Sequence, residues 1–127
     1  MKSKIRIISL GCLAALTGVI AWAHHGWAEF DAKALVTMEG AVVDFHFTNP
    51  HCVVEFKSQD EKGQARQWQG EFASPVELSR KGWTPATLQP GMKLTIAGHP
   101  AKGGAAAIHV TSIKLADGKV LPVPDSN

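Results

Sequence analysis

Tyrosine is absent from this 127-residue chain, and cysteine occurs only twice, as Cys12 and Cys52. So few thiols provide no disulfide framework, and stability has to come from packing, a metal or a partner. No Ser-His-Asp order, nucleophile elbow, phosphate loop, dinucleotide fingerprint or Cys-x-x-Cys pair occurs, so the enzyme classes built on those motifs have no support. Neither sign of charge predominates. Thirteen basic and 11 acidic residues give +2, and nothing in that balance argues for nucleic acid. Internal repeats and low-complexity tracts are missing. The longest apolar run, Ile7 to Ile20, counts 14 residues against the roughly 20 that span a bilayer.

That run is flanked as an export signal is. Lys2, Lys4 and Arg6 precede it, and Ala21-Trp22-Ala23 follows with the small residues a signal peptidase needs. Residues 1–23 are therefore expected to be a cleaved signal peptide, with the mature protein periplasmic or secreted and without a stable membrane anchor. Ser9-Leu10-Gly11-Cys12 lacks the leucine that a lipoprotein signal carries three residues before its cysteine, so lipidation is not expected. Cleavage after Ala23 takes the basic residues from 13 to 10 against 11 acidic, and it leaves residues 24–127 with Cys52 as their one cysteine. These 104 residues suit one small domain and are too few for two independent cores. The domain is expected over residues 24–121, with 122–127 as a flexible tail.

Periodicity predicts a mainly β fold with one short helix. Leu35 to Phe47 is rich in β-branched and aromatic residues, with Gly40 where a bulge or bend would fall. Cys52 to Ser58 alternates, Cys52, Val54 and Phe56 on one face and Val53, Glu55 and Lys57 on the other. Asp60-Glu61-Lys62-Gly63 reads as the turn of a hairpin returning through Gln64 to Phe72. Ser74, Pro75, Glu77 and Gly82 then spell a capped, brief helix. Met92 to Ala97 and Ile108 to Leu115 are further strands, and Ala116 to Lys119 turns into a last short one. This order matches a small OB-fold-like, five-stranded Greek-key barrel. The same strand spacing also suits a small β-sandwich. The expected barrel core is Val42, Val54, Phe56, Trp68, Phe72, Leu94, Ile96, Ile108 and Val110.

His24-His25-Gly26-Trp27-Ala28-Glu29-Phe30-Asp31, Gly40-Ala41-Val42, Thr48-Asn49-Pro50-His51, Glu71, Gly82-Trp83, Pro90-Gly91 and Gly98-His99-Pro100 together resemble a family of small exported bacterial proteins of unknown function. The resemblance covers nearly the whole mature chain and implies export and a compact β fold, but no activity. Members commonly have Ser-Phe where this chain has Gly26-Trp27, a departure that leaves both histidines in place.

Cleavage after Ala23 would put a free amine on His24, and an amine with the Nδ1 of the same histidine chelates a cupric ion. A further imidazole from His25 or His51 would give three nitrogens, a set that suits Cu(II) in tetragonal geometry, with zinc as the competitor. If the hairpin turn centres on Glu61, His51 stands opposite Glu71, whose carboxylate orients the imidazole or binds metal itself. The candidate metal residues are thus His24, His25, His51 and Glu71, and the expected cofactor is copper.

Each feature also has a plainer reading. The His-His pair serves equally as a polar spacer, and His51 with Glu71 as an ordinary cross-strand pair. Cys52 faces inward as a small apolar residue, the lone His46, His99 and His109 follow no ligand spacing, and Trp27, Trp68 and Trp83 read as core or rim aromatics. Three function classes fit: an exported metal-binding protein, a metal-free barrel that binds a small molecule or a periplasmic partner protein, and a copper oxidase. The last needs an open coordination position and a substrate surface, neither of which the sequence displays, so enzymatic activity is not assigned.

Overall fold

A computed structural model describes residues 29–59 and 62–125. Strand β1 (Val36–His46) is followed by β2 (Val53–Gln59), β3 (Ala65–Glu71), helix α1 (Pro75–Arg80), β4 (Lys93–Pro100), β5 (Ala107–Leu115) and the two-residue β6 (Val120–Leu121). The strands hydrogen-bond in the order β3-β2-β1-β4-β5-β6, and a parallel pairing of β3 with β5 closes the first five into a barrel. Five strands with a helix between the third and fourth give the OB-like arrangement that the sequence predicts. Among the described residues no helix is long and apolar enough to cross a membrane.

Alternation decides what fills the barrel. Val54 and Phe56 of β2, Leu94 and Ile96 of β4, and Ile108, Val110 and Ile113 of β5 all point inward and are almost fully buried. Each such side chain stabilises the fold by roughly 1.5–3 kcal/mol relative to solvent exposure. Eight of the nine expected core residues are buried. Trp68 is the exception: it lies half-buried against the core with the Arg66 guanidinium 5.1 Å above its ring. Trp68 shares the inward face with its partner Phe56, but it sits where β3 leaves the core, next to the exposed Ala65–Gln67 end of the strand.

The hairpin register differs from the expected one. Val54 pairs with Gly70 and Phe56 with Trp68, two residues away from a turn centred on Glu61. The connection runs from Asp60 to Gln64, one residue longer than a four-residue turn, with Gly63 at φ 76° near its end. A shift of two keeps every side chain on its face, so the inward set survives the change. Gly40 is not the bulge either, since the irregularity of β1 against β2 lies between Val42 and Asp44. Gly40 pairs with Ser58 on one side and Leu94 on the other, and a Cβ there would meet the Lys57 carbonyl at 2.7 Å. It is glycine because β2 presses upon it, through the Lys57 carbonyl and the Phe56 ring.

The helix forms as its capping residues dictate. Ser74 accepts from the Glu77 amide, the Glu77 carboxylate accepts from the Ser74 amide, and Pro75 opens the first turn. These bonds, the Ser74 hydroxyl first, hold the Glu77 carboxyl below its ordinary range. Gly82 follows the C-cap at φ 87°. Leu78, Trp83 and Leu88 from this connection join the barrel core, where the Trp83 ring packs on Phe72 with centroids 5.2 Å apart and planes inclined at 58°. The Trp83 indole donates to the Pro122 carbonyl at 2.8 Å and Val123 packs on the core, so the expected tail is held at its first residues.

Candidate metal centre

His51 precedes β2, just after the cis Asn49–Pro50 peptide. The Cys52 amide donates to the Ala73 carbonyl, and the Phe72 amide to that of Cys52, which extends the β2–β3 ladder past its strand ends. His51 therefore stands at the mouth of the hairpin, 45% exposed at its side chain, with Nδ1 2.8 Å from Oε1 of Glu71. The two expected partners do meet, though diagonally. Val53, not His51, is directly opposite Glu71.

Barrel closure adds two histidines. Glu71 is the register partner of His109 across the parallel β3–β5 pair, and His99 is the partner of His109 across β4–β5. Ile108 and Val110 point into the core, so His109 and its partners belong to the outer face. His109 is nevertheless buried, 4% exposed, because the Phe30 ring meets it edge-on with centroids 5.6 Å apart. Phe30 is held there by a bridge to Ala101 and by the Asp31 amide donating to the Pro100 carbonyl. His99 Nδ1 lies 2.7 Å from the Ala34 carbonyl; since a carbonyl only accepts, that nitrogen carries a proton.

Burial under Phe30, with lesser contributions from His99 and His51, lowers the pKa of His109 to about 4. It is a neutral imidazole at ordinary pH, the form in which histidine ligates metal. Cys52 lies inside the barrel, where burial pushes its thiol up to about 11, so it is a small apolar residue there rather than a thiolate.

A second ionisable group lies on β1 and β2. Asp44 and Glu55 face one another, and His46 Nε2 reaches Glu55 at 3.3 Å and Asp44 at 3.7 Å, while Gln67 donates to Glu55 at 3.0 Å. Asp44 and Glu55 were not singled out from the sequence; the alternation of Asp44 and His46 on β1 was the signal available. Neither group is complete. Among the described residues no three His, Cys, Asp or Glu side chains converge to hold a metal by themselves. His24, His25 and Trp27 lie outside the described residues. Phe30 is six residues on from His24, a tether of at most about 20 Å.

Residues 12–109 match a family of unknown function, DUF6152. No curated protein matches the chain.

Proposed function

The chain belongs to the DUF6152 family, and we propose that this member is an exported Cu(II)-binding protein whose metal is held at the amino terminus of the mature form. The His24 amine and imidazole form the chelate, His25 or His51 contributes a further nitrogen, and Glu71 supports His51. One observation carries the reading: the His51–Glu71 pair at 2.8 Å stands in a patch with His99 and His109, and Phe30, six residues from His24, packs on that patch. A carboxylate that accepts from Nδ1 fixes the tautomer and leaves Nε2 as the ligating nitrogen, the arrangement common around metal-bound imidazoles. Copper is preferred over zinc because amine and imidazole donors suit its tetragonal geometry and its place at the top of the affinity order. Nothing in the reading calls for turnover, so the protein serves as a metal carrier or buffer.

The test compares three proteins in Cu(II) titrations followed by calorimetry and electron paramagnetic resonance: one starting at His24, one with a single residue added ahead of it, and His51→Ala. The extended protein should bind far more weakly, and His51→Ala should bind less tightly with one fewer nitrogen coupled to the metal. Equal affinity in all three would refute the site and leave a metal-free binding module. Intact mass of the periplasmic protein checks the starting residue; a retained Met1 would remove the amine chelate.

A further inference from the structure

The barrel end away from the histidines carries a cleft of about 900 Å³ lined by Ala41, Thr37, Glu39, Lys57, Lys93 and Lys114. Register places the lysines around one small side chain. Lys57 and Lys93 are both direct partners of Ala41, one on each side of β1, and Lys114 is the partner of Thr95, which itself faces Glu39. Adjacent strands are about 4.8 Å apart, so the two lysine backbones flank Ala41 at about 10 Å from one another, a span that two flexible lysine stems can close. No ion pair among the described residues engages any of the three lysines, and all three are exposed. Three lysines thus surround a methyl-sized side chain, with Glu39 as the one carboxylate among the described residues that line the cleft, in a chain whose charges otherwise nearly balance.

We propose that this cleft binds a multiply charged oxyanion, carried by a phosphate ester or a polycarboxylate. One monoanionic group satisfies one lysine; a ligand with two or more charged oxygens spread over several ångströms engages Lys57 and Lys93 together and reaches Lys114, with the Thr37 and Thr95 hydroxyls as further donors at the wall. The small size of Ala41 leaves room for it, and Glu39 limits the charge the site tolerates. The site is independent of the metal reading, since none of its residues belongs to the histidine patch.

Pyrophosphate and citrate, titrated separately into the mature protein at low salt and followed by amide chemical shifts, test the two forms of this chemistry. Saturable one-to-one binding of either, with shifts centred on Ala41 and Thr95, is the expected result, and the tighter ligand identifies the class. The Lys57→Ala/Lys93→Ala double variant should bind roughly tenfold more weakly, Ala41→Leu should weaken binding with the charges unchanged, and Glu39→Gln should tighten it. Lys81→Ala, on the far side of the helix terminus, should bind as the parent does. The proposal is overturned if neither ligand saturates, if the double variant binds as the parent does, or if Lys81→Ala loses as much as the double variant.

Discussion

The two ends of the barrel are made by the same strands and carry opposite chemistry. Strand β4 starts at Lys93 and reaches His99, β5 starts near His109 and reaches Lys114, and β2 runs from beside His51 toward Lys57. Antiparallel pairing then collects the histidines at one end and the lysines at the other. At the histidine end the polar groups are covered or partnered: Phe30 over His109, the Ala34 carbonyl on His99, Glu71 on His51. At the lysine end the charges stand in solvent around a cleft. Order at one end and exposure at the other mean that the same kind of substitution should have different consequences at each.

The largest expected effect is one the two ends should share, because a single core serves both. Phe72→Ala and Phe56→Ala should each cost about 3–5 kcal/mol, read from urea unfolding. A loss confined to one of them would show that the ends have separate cores. Next in size is acid sensitivity belonging to the histidine end alone. His109 is neutral in the fold down to about 4, while the unfolded imidazole titrates near its ordinary 6.5. Its contribution is therefore complete above about 6.5 and is lost as pH falls from there through about 4, about 3 kcal/mol in all. His99, His51 and Glu71 face it, so the measurement is the difference between the parent and His109→Asn over that window. An identical pH dependence in both would remove His109 as its source.

Below that comes Glu71→Gln, which keeps the size of the side chain and removes its charge. If Glu71 supports a metal-bound His51, Cu(II) affinity should fall by about 10–100-fold, while stability changes little; unchanged affinity would reduce the pair to a surface contact. Trp68→Ala should cost about 1–2 kcal/mol, clearly less than Phe56→Ala, since half of the ring is not in the core. The smallest effect belongs to the lysine end: Lys57→Ala and Lys93→Ala should each leave stability within about 0.5 kcal/mol. A larger loss would mean that these lysines are structural and would dissolve the contrast.

Much of this was legible in the sequence, for identifiable reasons. The alternation from Cys52 to Phe56 and the Ser74–Glu77 capping box are local, and both appear where residue order places them. The hairpin partners were displaced by two because the length of the Asp60–Gln64 connection is not written in its turn residues; the even displacement preserved the faces, and with them the meeting of His51 and Glu71. What could not be read was the company kept by His109 and His99. Their adjacency to Glu71 arises from the parallel closure of β3 on β5, a contact between segments 38 residues apart that no short-range pattern encodes. Trp68 differs from the expected core for a related reason: alternation puts it on the inward face beside Phe56, but does not say how far along β3 the core extends.

Closure itself rests on little. Strand β3 meets β5 at three positions, Gln69 to Glu71 against Ala107 to His109, whereas β2 meets β3 at seven. A cylinder zipped along one short stretch has its easiest opening there, and the amides on that stretch should exchange with solvent sooner than those of the hairpin. Glu71 and His109 are the last teeth of the zip. Any ligand gripping both sides of the line would act as a clasp, turning a breathing shell into a locked one without altering its shape.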